Sequence, residues 1–168
     1  MFVLLEIISI LLVAVAMGLA LAHALEFPGK RRLDEQTYLA VQTIYYPGFT
    51  IAGISEPLAV IATLVLLIVT PKDRAQFWLV LISFLAMLAT QVVFWFVTQP
   101  TNRFWLKHEQ LGEAGAKFFA VQKRQSSSEQ NRSNEEWRRL RDRWEHSHLM
   151  RAVLAGIALI AIVVAAAR

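Results

Sequence analysis

The sequence predicts an all-α integral membrane protein. The expected architecture is a four-helix bundle with a cytoplasmic extension of helix four and a short interfacial helix between helices one and two. Three observations predict it. The 168-residue chain is 56% hydrophobic with a mean hydropathy of +0.44, well above the soluble norm. The excess gathers in four blocks, residues 2–24, 48–70, 77–97 and 149–167, each near the ~20 residues needed to cross a ~30 Å hydrocarbon core. The basic residues are also lopsided. Lys30, Arg31 and Arg32 lie between blocks one and two, and eleven more fall from Arg103 to Arg151, whereas the other side keeps Lys72, Arg74 and Arg168. Positive charge marks the cytoplasmic loops, so both termini are expected outside.

This length is one domain, residues 1–168. The spans are expected at about 2–26, 48–70, 76–98 and 148–167, with cytoplasmic loops 27–47 and 99–147. The chain has no cysteine, which removes disulfides and thiolate metal sites. A pI near 9.8 invites a nucleic-acid reading. The basic residues flank apolar spans, however, where lipid headgroups attract them at ~1 kcal/mol each. Membrane lipid is therefore the expected partner and nucleic acid is not; an oligomer is left open.

Block one resembles a signal peptide at Ala20-Leu21-Ala22, but no Lys or Arg precedes its apolar run and Glu6 interrupts it, which favours a spanning helix. Ala14, Gly18 and Ala22 recur at four-residue spacing and predict a flat stripe for helix packing. His23 and Glu26 come at its inner end, three apart and on one face. Pro28-Gly29 is expected to end this helix. Asp34 caps a short helix to about Tyr46, which lies over the bundle end as a lid until Pro47-Gly48 stops it.

Block two carries Ser55-Glu56-Pro57, where Pro57 predicts a kink or break. An acidic residue inside a span costs ~2.5–3.5 kcal/mol, so Glu56 is expected to face inward. Counted from the outer end of its span, it lies on the order of 10 Å deeper than His148. Block three has aromatic belts at Phe77-Trp78 and Phe94-Trp95-Phe96. Gln91 is suited to a helix–helix hydrogen bond, and Gln99-Pro100 is expected to end the helix, leaving Asn102 and Trp105 at the inner face. In the second inner loop, residues 118–121 form an apolar patch, His108 reads as a surface histidine, and residues 125–132 have turn composition. Ser133 and Glu136 fit a capping box that starts helix four. That helix enters the bilayer at His148, where Glu145, His148 and Arg151 follow at three-residue spacing, and it carries a small-residue stripe at Ala152 and Gly156. His146, two residues from His148, is expected to point elsewhere into water.

These stretches, AHALEFPGKRRLD, YYPGF, SEP, WFVTQPTN and RWEHSHLMRA, together resemble a largely uncharacterised family of small four-helix membrane proteins described as anthrone-oxygenase-like. The resemblance spans most of the chain. It implies oxidation of a small hydrophobic aromatic by molecular oxygen, in a protein without an obvious cofactor motif.

The residues themselves define a polar site at the inner end of the bundle. His-x-x-Glu on helix one and Glu-x-x-His on helix four, with Glu56 from helix two, resemble the carboxylate–histidine sets of di-metal bundles. His23, Glu26, Glu56, Glu145 and His148 are thus candidate ligands for iron, manganese, copper or zinc, although helix three offers no carboxylate. At least three of these five are expected to converge in one pocket. A second option is haem b held by His23 and His148, with Arg151, Lys30 or Arg31 on the propionates, as in an electron-transfer protein. A third needs no cofactor. His148 acts as base on an acidic phenol or anthrone, Glu145 sits beside it, and Arg151 and Asn102 stabilise the oxyanion. Tyr45, Trp105 and Trp144 are the expected walls for a small hydrophobic substrate such as an anthrone, phenol or quinol. The purely structural reading of the same residues is a buried network in which Glu145, His148, Glu26 and Arg151 satisfy each other and fix helix register. The remaining functional alternative is a non-enzymatic membrane scaffold or partner-binding protein that docks through its cytoplasmic helical hairpin.

Overall fold

The computed structural model describes residues 1–105 and 133–168. The 118–121 patch, His108 and the 125–132 stretch fall outside these residues, as do the side chains of Trp105, Ser133 and Glu136. All regular structure among the described residues is helical. Four helical stretches are long and apolar enough to cross a membrane: Phe2–Lys30, Gly48–Val69, Ala75–Asn102 and Trp137–Ala166.

The first, α1 (Phe2–Lys30), runs through Pro28 rather than ending there. Pro28 lies in the last turn, where its missing N–H removes a single bond, and the amide of Arg31 still reaches the carbonyl of Phe27 at 3.0 Å. After it, α2 (Glu35–Gln42) begins at Asp34, whose Oδ1 accepts from the amide of Thr37 at 2.8 Å. A 3₁₀ turn, Thr43–Tyr45, and a cis Tyr46–Pro47 bond lead into α3 (Gly48–Ala52).

The break in the second span falls at Gly53-Ile54, earlier than Pro57. A Cβ on Gly53 would stand 3.0 Å from the carbonyl oxygen of Phe49, a tight contact that glycine avoids where α3 passes into α4 (Ser55–Val69). Pro57 then sits in the first turn of α4, where no intrahelical partner is lost. Glu56 lies in that same turn, where the helix dipole favours a carboxylate.

The third span also departs from expectation. Gln99-Pro100 does not end it. The chain continues from α5 (Ala75–Val93) through a π-helical turn, Phe94–Thr98, into α6 (Gln99–Trp105). Pro100 cannot donate to the carbonyl of Phe96, and the wider π turn relieves the clash such a proline makes. The orphaned Phe96 carbonyl instead accepts from Arg143 Nη2 at 3.3 Å. The last helix, α7 (Ser133–Ala166), is continuous from the charged region into the apolar span.

Each span buries residues at alternating three- and four-residue intervals, as Ser9, Val13, Ala16, Ala20 and His23 do on α1. The predicted Ala14/Gly18/Ala22 stripe is out of register with this face, and nothing lies within 4 Å of a Cβ built on Gly18. On α7 the small stripe is Ala152, Ala155 and Ala158 rather than Gly156. The helices form a ring in which α7 packs on α1 and α5, and α4 packs on the same two. Val13, Ala16, Ala59, Met87, Ala155 and Ala158 make its central layer. Beyond one end, Tyr38, Tyr45, Trp137 and Trp144 form a second cluster, where the α2 segment packs against the polar half of α7.

Candidate functional site

At the junction of these two layers the helices splay around a cavity of about 430 Å³, within the ordinary range for small-molecule sites. Apolar wall comes from Leu19, Phe49, Phe94, Trp95 and Trp144, and polar groups from His23, Tyr45, Glu56, Asn102, His148 and Arg151. Ile54, Pro57 and Trp95 line the cavity and are also exposed on the outer surface, Ile54 at 53% and Trp95 at 58%. The cavity therefore opens sideways between the start of α4 and the π turn.

The break at Gly53 and the register of α7 together bring Glu56 to Arg151. Arg151 Nη2 lies 3.0 Å from each Glu56 oxygen and its Nε 3.2 Å from Oε1, while Gln91 Nε2 donates to Oε2 at 2.9 Å. The expected depth mismatch between Glu56 and His148 is bridged by Arg151, three residues further into the span. Arg151 Nη1 also stands 3.4 Å from His148 Nδ1, and its guanidinium lies 5.3 Å from the Phe94 ring centre. The anionic and cationic groups in the wall thus neutralise each other.

His23 and His148 meet across the bundle with ring centroids 4.2 Å apart. Tyr45 packs on His23 at 4.4 Å and Trp144 on His148 at 4.2 Å. Trp144 Nε1 donates to Asn102 Oδ1 at 2.7 Å, and Asn102 Nδ2 reaches Gln99 Oε1 at 3.3 Å. Asn102 is therefore engaged on both sides of its amide, and Arg151 is committed mainly to Glu56.

Glu145 and Glu26 belong to a second group behind the cavity. Lys30 Nζ, buried in the protein, lies 2.9 Å from Glu26 Oε2 and 3.7 Å from Glu145 Oε1. Tyr38 donates to Glu145 Oε1 at 2.9 Å and Tyr45 donates to Glu26 Oε2. The ammonium also sits 4.6 Å from the Tyr45 ring centre and 5.1 Å from that of Trp144. Burial pushes both phenols above the usual tyrosine range. At Tyr38 the charge of Glu145 adds to this, and at Tyr45 the bond to Glu26 does.

Of the five proposed metal ligands, His23, Glu56 and His148 line the cavity, whereas Glu26 and Glu145 face the Lys30 group. Among the described residues, no group of three or more His, Asp or Glu is placed to hold a metal ion. The carboxylates that the sequence offers as ligands are taken up by Arg151, Lys30 and the two tyrosines. The haem reading meets a steric objection. Two imidazoles on opposite sides of one iron, each bound at about 2 Å, stand roughly 6 Å apart between centres. The observed 4.2 Å leaves no room for the macrocycle.

Sequence reasoning missed Gln42, Phe49 and the burial of Lys30. Gln42 sits in a short polar helix and nothing marks it; in the structure its Nε2 is buried in the cavity wall without a partner. Lys30 carried a signal, being four residues from Glu26 on a helix that outlasts Pro28. His146 is exposed, as its spacing predicts.

The family model for anthrone oxygenase matches residues 44–161. The matched part takes in Tyr45, Glu56, Trp144, His148 and Arg151, and His23, Glu26 and Lys30 lie ahead of it. No curated protein and no solved structure matches the chain. A match across most of the length, on a fold of four membrane-spanning helices, establishes that this chain belongs to the anthrone oxygenase family.

Proposed function

We propose that the protein oxidises a small lipophilic aromatic of anthrone, phenol or quinol type with molecular oxygen, inside the cavity at one end of the bundle. Family membership supports an oxygenase-like activity. The observation that carries the finer reading is the cavity itself: about 430 Å³, walled by aromatic rings, open towards lipid, and holding two histidines in contact. A hydrophobic wall favours a planar aromatic from the bilayer, and a buried imidazole pair offers a proton acceptor and a hydrogen-bond donor at its reactive end.

For an anthrone the reaction balances simply. A base removes a proton from the acidic methylene carbon, and the carbanion delocalises onto the ring oxygen. The anion reduces O2, a C–O bond forms, and the resulting hydroperoxide loses water. The methylene becomes a carbonyl, one oxygen atom enters the product and the other leaves in water. The basic loops favour an orientation with this end at the cytoplasmic surface and both termini outside. Trp144 and Tyr45 are the pocket walls in this reading.

The test uses purified protein in lipid nanodiscs, supplied with anthrone and followed by oxygen electrode and quinone absorbance. Oxygen consumed in equal amount to quinone formed, and lost in a His23→Ala/His148→Ala double variant that still folds, is expected. A folded protein that neither binds an aromatic nor raises oxygen uptake overturns the proposal in favour of a scaffold.

A further inference from the structure

The two histidines have different surroundings, and these divide the labour between them. Arginine has only donors. Because Arg151 Nη1 approaches His148 Nδ1 at 3.4 Å, that nitrogen must present its lone pair. Neutral His148 then carries its proton on Nε2, which is buried with no protein partner. His23 is turned the other way. Its Nδ1 is buried without a hydrogen bond and faces the Glu26 carboxylate at 4.0 Å. A lone pair aimed at a carboxylate is repelled and an N–H is attracted, so the proton belongs on Nδ1. Nε2 is then the nitrogen of His23 left with a lone pair.

We propose that His23 is the base and His148 the hydrogen-bond donor of this site, with Glu26 a positioning residue that holds His23 in its Nδ1–H tautomer. This rests on the oxidation proposed above and assigns its proton steps. His23 Nε2 takes the proton from the acidic carbon, and the electron pair left behind spreads to the ring oxygen, which accepts from His148 Nε2–H. Arg151 behind His148 polarises that donor. Glu26 faces the imidazolium formed on His23, and the same proton returns to the peroxide oxygen after O2 adds.

Nitrogen-15 NMR of histidine-labelled protein in nanodiscs reads the tautomers without any substrate, because protonated and bare ring nitrogens resonate far apart. The chain has four histidines; contact between two rings picks out the His23 and His148 pair, and contact with the labelled Tyr45 ring marks His23 within it, so no variant need fold for the assignment. The expected result is opposite tautomers, His148 protonated on Nε2 and His23 on Nδ1, with Glu26→Gln shifting His23 towards Nε2–H. Matching tautomers, or a proton on His148 Nδ1, overturns the assignment whether or not the protein oxidises anthrone. Activity supplies a second reading, since glutamine can donate but cannot act as base. His23→Gln should lower kcat by ~10²–10⁴, whereas His148→Gln should stay within about tenfold and His148→Ala fall by ~10²–10³. Equal loss at both glutamine variants, or the reverse order, refutes the division. No oxidation by any form refutes the reaction and leaves the NMR result standing.

Discussion

Arg151 and Glu56 provide the sharpest test of how this bundle tolerates charge. The pair is nearly enclosed, with side-chain exposures of 12% and 7%, and Glu56 accepts from Arg151 through both oxygens and from Gln91. Removing one partner of such a pair strands a charge in a low dielectric and costs about 3–5 kcal/mol. Arg151→Met and Glu56→Leu are each expected to fall in that range. The double variant strands no charge. What it loses is the acceptor for Gln91 Nε2, a partly buried amide whose lost bond costs at most about 1–3 kcal/mol. The double variant should therefore be more stable than either single, with a coupling of roughly 3 kcal/mol or more when the two single costs are compared with the joint one. Reversible unfolding in dodecyl maltoside titrated with sodium dodecyl sulfate, followed by tryptophan fluorescence, measures all four corners of this cycle. If the double variant falls by the sum of the singles, the ion pair is not the reason these residues are tolerated in the span.

Other consequences are smaller and independent. Tyr38→Phe removes a buried bond to the Glu145 carboxylate and should cost about 1.5–3 kcal/mol in the same unfolding assay. The Tyr38 and Tyr45 phenols are held above their unfolded value of about 10, Tyr38 by burial and then Glu145, Tyr45 by burial and then Glu26. Their contribution to stability is thus fully present below about pH 10 and drains away as pH rises above it; Tyr38→Phe should flatten that alkaline decline. Ala158, fully buried against the central layer, leaves no space for a larger side chain, and Ala158→Leu should destabilise by about 1–3 kcal/mol. Since the chain has no native cysteine, Ile54→Cys or Trp95→Cys labelled with a bulky lipid-soluble thiol reagent should block quenching of tryptophan fluorescence by an anthrone-like ligand. Ile68→Cys, exposed at 73% and outside the cavity wall, should not; equal effects at all three sites would remove the lateral opening.

Hydropathy alone made the four spans legible, because the bilayer imposes a length and an apolar content that few other environments require. Local breaks were less so. Pro28 and Pro100 read as helix ends, yet α1 passes through one and the third span passes the other by means of a π turn and a donor from Arg143. Such rescue is tertiary, and no local signal carries it. The true break at Gly53 was hidden because a single glycine in an apolar run is ambiguous until its neighbour's carbonyl is located. Helix spacing correctly joined Glu145 and His148 to one side of α7, but not the finer partition in which one faces Lys30 and the other the cavity. The small-residue stripe on α1 failed for a related reason: four-residue spacing fits several faces, and the partner helix chooses among them.

The distribution of unmatched polar atoms bears on what the cavity holds. Within the described residues, the ionised groups near it are paired: Arg151 with Glu56, and Lys30 with Glu26 and Glu145. A wall arranged in this way has little net charge left to attract an ion. What remains in it are neutral groups, His23 Nδ1, His148 Nε2 and Gln42 Nε2, all buried and without a hydrogen-bond partner in the protein. Unsatisfied donors of this kind cost about 1–3 kcal/mol each, and a structural bundle would gain by replacing them with apolar residues. The proposed substrate, a neutral aromatic bearing carbonyl or phenolic oxygen, would bring the acceptors that these groups lack. In the proposed reaction the Arg151–Glu56 pair is already balanced, so the forming oxyanion is stabilised by N–H dipoles, and its charge is cancelled when the proton taken at the start returns to the peroxide oxygen, so that a neutral product and water leave.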